Sequence, residues 1–204
     1  LFARLRDEQT HQKERADMQR LSDEQLLEKV IAGEMAALAP LVERYQYVLT
    51  GYLDRLVGAD WALAQDLAQE TFVRVLRQHT TRGDRSFRSW LYAIATNLAR
   101  DHFKSSATRL SMPLASEHED WICDEVPGPE EYALRGEQRS ALVDALNLLG
   151  MEYRTTLWLR FYCDLSLQEI AETLGIPLGT VKWRISTGLR RLRSLLASSA
   201  DIYC

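Results

Sequence analysis

A polar and basic face lies near the carboxyl end of the chain, within the segment TVKWRISTGLRRLR. Its side chains are of the types that read base edges in a DNA groove or bind phosphates: Thr180, Lys182, Trp183, Arg184, Ser186 and Thr187. Arg190, Arg191 and Arg193 come next and suit phosphate contact. The residue types therefore favour binding to duplex DNA at this face.

A turn and a preceding helix are predicted to position this face. In the segment SLQEIAETLGIPLG, Ser166 and Glu169 form a capping box that opens a short helix, and Gly175 suits a turn of positive φ. The inward apolar positions of the two helices are Ile170, Ala171, Leu174, Val181, Ile185 and Leu189. The pattern is typical of a helix–turn–helix, and the alternative, a helical hairpin with a solvated basic face, explains fewer of these features.

A second basic face is predicted on a helix over residues 87–105. It combines an aromatic ring with cations and amides, in Arg88, Tyr92, Thr96, Asn97, Arg100 and Lys104. This face is expected to lie opposite a buried stripe formed by Phe87, Trp90, Leu91, Ile94 and Leu98. It suits single-stranded nucleic acid, whose bases stack on rings. A solvated helix face explains the spacing about equally well, but the basic loop before the helix, with Arg82 and Arg85, favours nucleic acid.

A third polar stripe is predicted on a helix over residues 61–77. Its members, Asp66, Gln69, Glu70 and Arg74, recur at spacings of three and four residues. From the spacing alone, the favoured interpretation is a solvated face whose Glu70–Arg74 pair adds a few tenths of a kcal/mol to helix stability.

The charge of the 204-residue chain separates along its length. A net charge of −4, taken alone, argues mildly against binding to nucleic acid. Residues 71–106 nevertheless hold seven basic and two acidic residues, and residues 150–196 hold seven and four. Between them, residues 107–149 hold three basic and nine acidic residues, with a Pro-Gly-Pro run typical of a linker. Two basic domains joined by an acidic linker are therefore predicted.

The periodicity is helical on both sides of that linker, and no alternating strand pattern is found in the sequence. Ser22 and Gln25 form a capping box, and Gly33 suits the end of the helix that they open. Pro40 predicts that the next, long helix begins only a residue or two earlier. The other predicted boundaries are Gly58 as a stop and Asp60 and Ser86 as caps. The fold class is therefore all-α.

Several function classes are excluded by the composition. The longest stretch without Asp, Glu, Lys or Arg is the eleven residues from Ser89 to Ala99, which is too short to span a membrane. The charged amino terminus lacks the apolar core of a secretory signal. Cys123, Cys163 and Cys204 are scattered, so they are expected to be free thiols in a reducing cytoplasm.

No catalytic or metal-binding motif is found either. The four histidines show no ligand spacing with a cysteine or carboxylate cluster, and the sequence contains neither a phosphate-binding loop nor a nucleophile elbow. We therefore expect a chain that is not an enzyme and that needs no cofactor or metal. The histidines are His11, His79, His102 and His118.

Three segments, taken in order, resemble bacterial sigma factors of the extracytoplasmic-function type: DLAQETFVRVL, RGDRSFRSWLYAIATNLARDHFK and LSLQEIAETLGIPLGTVKWRISTGLRRLR. The resemblance implies an all-α fold of two small helical domains, a region-two bundle and a region-four helix–turn–helix, joined by an acidic flexible linker. The implied organisation is an N-terminal extension (1–21), sigma region two (22–106), the acidic linker (107–136), sigma region four (137–196) and a C-terminal tail (197–204).

The resemblance also implies roles for the three polar faces. The stripe of Asp66, Gln69, Glu70 and Arg74 would bind the β′ clamp helices of core RNA polymerase, which revises the solvated-face interpretation. A second set of residues would open the minus-ten element and bind its non-template strand: Arg82, Arg85, Arg88, Tyr92, Asn97, Arg100 and Lys104. The minus-thirty-five element would be read as duplex by Thr180, Lys182, Trp183, Arg184, Thr187, Arg190 and Arg191. Region four would also contact the polymerase β flap.

The implied function is that of a dissociable sigma subunit, cytoplasmic and not inserted in a membrane, that promotes promoter melting and initiation at a specialised set of genes. An anti-sigma protein is a candidate partner, because members of the family are commonly held inactive by one. The alternative is a stand-alone helix–turn–helix regulator with an all-α effector domain. The sequence departs from the family at three positions. Relatives often have a small polar residue where this chain has Trp183, and they often have arginine where it has Thr187 and Leu189.

Overall fold

The computed structural model describes residues 17–77, 83, 85–107 and 141–200, and the regular structure in that part of the chain is helical. The helices are α1 (Asp23–Ile31), α2 (Leu38–Val57), α3 (Trp61–Arg77), α4 (Phe87–Ala107), α5 (Met151–Phe161), α6 (Leu167–Leu174) and α7 (Leu178–Ala200), with a 3-10 turn at Met35–Ala37. Residues 141–147 are also helical. The predicted all-α fold class is confirmed.

Some sequence predictions lie outside the described residues. These are most of the N-terminal extension, most of the acidic linker, the end of the C-terminal tail, and Arg82. Lys104 belongs to α4, but its side chain is outside the described part of the chain. The thiols of Cys123 and Cys204 are outside it as well.

The predicted helix boundaries of the first half are confirmed by their caps. The Ser22 amide donates to the Gln25 side chain at 2.9 Å, and the Gln25 amide donates to Ser22 Oγ at 3.2 Å. Helix α2 begins two residues before Pro40, where the amide that proline lacks has no helical partner in any case. It ends at Gly58, whose φ of +86° suits a residue without Cβ. Asp60 Oδ1 accepts from the Leu63 amide at 3.0 Å and caps α3.

Helices α1 to α4 form the amino-terminal bundle, whose core lies where α2, α3 and α4 meet. Leu53, Val75 and Leu91, one from each of these helices, are fully buried. Tyr52 of α2 also packs here, and its hydroxyl lies 2.8 Å from Thr96 Oγ1 of α4. That hydrogen bond satisfies a buried phenol that would otherwise be costly.

Residues 141–200 form the carboxy-terminal bundle, in which α6 and α7 make the predicted helix–turn–helix. The Ser166 amide donates to Glu169 Oε2 at 2.8 Å, and the Glu169 amide donates to Ser166 Oγ at 3.2 Å. Gly175 adopts the left-handed conformation, with φ of +64°. Ile170 and Val181 are fully buried between the two helices and α5. The turn geometry therefore follows from the local sequence.

The two bundles pack against each other. The sequence predicts two domains joined by a flexible linker, and this prediction did not include a contact between them. Helix α6 lies against α4, and α5 lies against α2. One apolar cluster continues through both bundles, from residues such as Leu91 to Leu159, Cys163 and Leu165. This contact decides which of the predicted DNA-binding side chains are exposed.

Candidate nucleic-acid and polymerase interfaces

The outer face of α7 carries the predicted duplex-binding side chains. Lys182 and Trp183 are exposed, and Trp183 retains 55% of its accessible surface. Thr180 and Arg184 are half-buried. Arg190 and Arg191, two turns further along, are exposed. The helix therefore presents its cations and one indole ring on a surface that a DNA groove can reach.

Tyr153 of α5 supports two of these side chains from beneath. Its ring is buried, and the Trp183 ring lies 5.8 Å from it between centroids. The Arg191 guanidinium lies over the same ring, 4.5 Å from its centroid. Both distances are within the range of aromatic and cation–π attraction. Tyr153 thus restricts the orientations of an indole and a guanidinium that are predicted to bind DNA, a role that no local sequence pattern indicates.

The prediction that Thr187 lies on the outer face of α7 is wrong. Its side chain is buried, because α5 crosses α7 closely at the next residue, Gly188. A Cβ on Gly188 would lie 3.2 Å from Leu157 Cδ1, so the helices approach where a side chain is missing. The Thr187 hydroxyl instead accepts a hydrogen bond from the Arg190 guanidinium at 3.2 Å. Thr187 therefore orients Arg190.

The polar stripe of α3 is open to solvent. Asp66 and Gln69 are exposed, whereas Glu70 and Arg74 are half-buried. Arg74 Nε lies 3.0 Å from Glu70 Oε1, which is the predicted i,i+4 ion pair. A partly exposed pair of this kind adds little to the free energy of unfolding, so a partner could bind the stripe at small cost to stability.

The predicted single-strand face of α4 divides into an exposed part and a buried part. Arg85, just before the helix, is exposed, and so are Asn97 and Arg100 near its middle. These three side chains remain available to nucleic acid. Tyr92 and Thr96, by contrast, are buried, with 1% and 4% of their surfaces exposed.

The prediction that Tyr92 and Thr96 lie opposite the buried stripe is therefore wrong for this arrangement. Thr96 Oγ1 donates to the Tyr92 carbonyl and also meets the Tyr52 hydroxyl. The Tyr92 ring packs edge-on against Tyr52, with centroids 5.4 Å apart. Burial raises the pKa of Tyr92, so its phenol stays protonated. Helix α4 is buried on nearly all sides here because the carboxy-terminal bundle covers the side that faces away from α2 and α3.

Cys163, in the connection between α5 and α6, makes the covering contact. Its side chain is 2% exposed, and its carbonyl accepts a hydrogen bond from the Arg88 guanidinium. Burial raises the pKa of the Cys163 thiol to about 12, although the adjacent Tyr92 and Arg88 act in the opposite direction. A lone small residue in a loop gives no sequence signal for such a contact, and the sequence predicts only a free thiol at Cys163.

Within the described residues, the structure contains neither a metal-binding cluster nor a membrane-spanning helix. No group of three or more His, Cys, Asp and Glu side chains there is arranged to hold a metal ion. Among the helices described, none has both the length and the apolar character needed to cross a membrane.

Comparison with known proteins identifies both bundles. The model for sigma-70 region 2 matches residues 41–109, and that for sigma-70 region 4 matches residues 145–194. The RNA polymerase sigma-H factor of Pseudomonas aeruginosa is 36% identical over 170 residues, which cover 80% of this chain and 88% of that protein. The ECF RNA polymerase sigma factor BldN of Streptomyces coelicolor is 35% identical over 194 residues, covering 93% of this chain and 72% of BldN.

Solved structures show the same fold. CnrH, solved in complex with the cytosolic domain of CnrY, superposes with a TM-score of 0.65 at 25% identity, covering 86% of this chain and 97% of CnrH. The sigma factor RpoE of Bartonella quintana, solved with the anti-sigma factor NepR, gives a TM-score of 0.64 at 18% identity over 78% of this chain and 96% of that one.

Region 2 precedes region 4 in this chain, which is the order found in sigma factors. The alternative of a stand-alone helix–turn–helix regulator with an all-α effector domain is therefore not favoured. The basic face of α7 lies in the part that matches region 4, and the polar stripe of α3 lies in the part that matches region 2. The chain belongs to the extracytoplasmic-function sigma factors, and it is a dissociable subunit of RNA polymerase for promoter-specific initiation of transcription.

Proposed function

We propose that three surfaces of this chain each bind a different partner of a sigma subunit. The α3 stripe (Asp66, Gln69, Glu70 and Arg74) binds the β′ clamp helices of core polymerase. The α4 surface binds the melted non-template strand of the minus-ten element. The α7 face reads the minus-thirty-five element as duplex. The observation that supports this assignment is the exposure of polar side chains on three helices: Asp66 and Gln69 on α3, Asn97 and Arg100 on α4, and Lys182, Arg190 and Arg191 on α7.

The α7 face is proposed to act through Thr180, Lys182, Trp183, Arg184, Arg190 and Arg191. The first four occupy the amino-terminal turns of the helix, where base edges are reached, and the two arginines suit phosphates. Tyr153 supports this proposal, because its contacts with Trp183 and Arg191 already restrict the conformations of those two side chains. Less side-chain entropy is then lost when they bind DNA. Thr187 is left with a positioning role through Arg190.

The α3 stripe is proposed to dock on polymerase through its carboxylates. Asp66 and Gln69 are exposed on one side of α3, and the Glu70–Arg74 pair continues the same side one turn later. Basic residues on the polymerase would be attracted by this surface, and such complementarity raises the rate of encounter as well as specificity.

The α4 surface is proposed to act through Arg85, Asn97 and Arg100, which are exposed, and through Arg88 and Tyr92 once they are uncovered. Arg82 and Lys104 extend the same basic region in sequence. Extruding a base from the duplex costs a few kcal/mol, which hydrogen bonds and stacking in such a pocket would offset.

The chain is proposed to supply no catalytic step, since nucleotide transfer belongs to the polymerase, and to act in the cytoplasm with that enzyme. Region four is proposed to touch the β flap as well. An anti-sigma protein is a proposed partner, by analogy with the sigma factor RpoE of Bartonella quintana, which was solved in complex with the anti-sigma factor NepR.

The test is run-off transcription with core polymerase on fragmented genomic DNA, followed by mapping of the 5′ ends. Specific starts that depend on the added chain would support the assignment and would define both promoter elements. Alanine variants of Asp66, Arg100 and Lys182 should then lose core binding, melting and duplex recognition, respectively. If no start depends on the chain, the proposed division of surfaces is wrong.

A further inference from the structure

Helix α4 begins with an amide whose hydrogen-bond acceptor comes from a distant part of the sequence. The first amides of a helix have no acceptor within it, so each needs one from outside. Ser86, next to the helix, provides one of them, since its Oγ accepts from the Ser89 amide at 3.1 Å. The Phe87 amide donates instead to Oε1 of Glu24, in the first turn of α1, at 3.2 Å. Helix α1 therefore caps α4 across the bundle.

A carboxylate is well suited to this position at the start of α4. The amino terminus of a helix carries partial positive charge, which attracts an anion. A charged acceptor also makes a stronger hydrogen bond than a neutral one does. The bond between Glu24 and the Phe87 amide is partly buried, which limits competition from water. Glu24 thus stabilises the first turn of α4.

The first turn of α1 is itself held on α2 by its aspartate. Arg44 donates to Asp23 Oδ1 at 2.7 Å and to the Leu21 carbonyl oxygen at 2.8 Å. The Tyr45 hydroxyl donates to the second carboxylate oxygen of Asp23. Glu24 directly follows Asp23 in the chain, so its backbone is fixed by two side chains of α2.

The Phe87 ring joins the same three helices from the side of α4. It is fully buried, and its centroid lies 5.5 Å from that of Tyr45 in an edge-on arrangement, which is attractive for two aromatic rings. Tyr45 therefore contacts α4 through its ring and α1 through its hydroxyl. The start of α4 and the start of α1 are thus positioned together on α2.

Two cations of the proposed minus-ten surface flank the Phe87 amide. Arg85 lies two residues before Phe87 and is exposed, and Arg88 is the residue after it. The directions of both side chains depend on the backbone at the first turn of the helix. If the Phe87 amide lost its acceptor, that turn would fray, and a bound strand would have to order it at an entropic cost.

We infer that Glu24 is a positioning residue for promoter melting, because it fixes the start of α4 and with it the backbone of Arg85 and Arg88. It acts through the Phe87 amide and needs no contact with DNA. The inference rests on the proposed function, since it takes the two arginines as residues that bind the melted strand.

Electrostatics alone predicts the opposite effect of removing Glu24. A carboxylate near arginines that bind phosphate repels the strand, so its loss would strengthen binding. A positioning role predicts that its loss weakens binding. The sign of the change therefore distinguishes the two explanations.

The first experiment measures the hydrogen bond in the full-length free chain, by NMR-detected exchange of the Phe87 amide hydrogen. In Glu24→Ala the exchange should be about tenfold faster than in wild type, because the amide loses its acceptor. Glu24→Gln keeps an acceptor oxygen and should stay within about threefold of wild type. Glu28→Ala removes the same charge from an exposed position of α1 and is the matched control. Exchange in wild type as fast as in an unstructured peptide would overturn the inference.

The second experiment measures promoter melting by the reconstituted holoenzyme, as the permanganate reactivity of unpaired thymines around the mapped minus-ten element. Glu24→Ala should form about tenfold fewer open complexes at equilibrium, and Glu24→Gln at most about threefold fewer. Glu28→Ala should form as many as wild type. Affinity for core polymerase should be the same in all four proteins, since the α3 stripe is not changed.

Three results would contradict the positioning role. An unchanged or larger number of open complexes in Glu24→Ala would mean that the carboxylate does not support melting. Equal losses in Glu24→Ala and Glu24→Gln would mean that its acceptor oxygen is not used. A parallel loss of affinity for core polymerase would mean a general loss of structure. Failure of the proposed function would show differently, as the absence of starts that depend on the wild-type chain in run-off transcription.

Discussion

Trp183 of the recognition helix rests on Tyr153 of α5, with ring centroids 5.8 Å apart and ring planes inclined by 54°. Tyr153 is buried, whereas just over half of the Trp183 surface faces solvent. The indole is therefore held from below by the protein core and presents its other side outward, at the end of α7 that would enter the DNA groove.

Trp183→Ser is expected to change the preference for minus-thirty-five sequences. In the proposed complex the indole would fill a large apolar volume against the DNA, and serine would replace it with one small hydrogen-bonding group. The free energy of unfolding should fall by no more than about 1.5 kcal/mol, since the aromatic contact is partly exposed. A panel of promoter variants transcribed with each protein measures the effect. Identical rankings for wild type and Trp183→Ser would contradict the prediction, and Leu148→Ala, an exposed change outside α7 and outside the three proposed surfaces, is the control.

Asp66→Asn is expected to weaken binding to core polymerase about tenfold, equivalent to about 1.4 kcal/mol, because it removes one charge from the exposed α3 stripe. Thermal stability should be unchanged, since the side chain is exposed. Binding of labelled chain to core enzyme measures the effect. Gln65→Ala, exposed one residue earlier on α3, is the matched control, and an equal loss in both variants would speak against a localised stripe.

Gly175→Ala is expected to lower the free energy of unfolding by about 1 kcal/mol, because φ is +64° at this residue and a Cβ is strained there. The space around Gly175 is open, so the cost comes from the backbone and not from a clash. Urea unfolding measures it. Gly179→Ala, in helix α7 and also with open space, should be neutral or slightly stabilising. Equal effects of the two substitutions would refute the backbone explanation.

Stability is expected to fall as the pH rises above about 9. Burial raises the pKa of the Cys163 thiol from its ordinary 9.0 to about 12. The thiol therefore ionises first in the unfolded chain. The contribution of the Cys163 thiol to the free energy of unfolding is complete below pH 9 and is lost as the pH rises towards 12. Urea unfolding at a series of pH values should show a shallower decline for Cys163→Ser, which has no thiol to ionise. Parallel declines would mean that Cys163 does not carry the effect.

Local sequence was sufficient to predict the helices and their ends. Ser22, Asp60 and Ser166 cap the helices that they were predicted to cap, and Gly58 and Gly175 adopt the left-handed conformation expected of them. These features depend on contacts within a few residues, which a sequence states directly. The Glu70–Arg74 pair was predictable for the same reason.

The sequence by itself thus determined the helical elements, the division of charge and the family to which the chain belongs. Only the tertiary structure decided which polar side chains of those helices reach solvent. Thr187 is buried because α5 approaches α7 at Gly188, and Tyr92 is buried because Cys163, 71 positions later in the chain, packs against it. Helical periodicity describes one face relative to another on a single helix, and it contains no information about a second bundle that packs against the polar side.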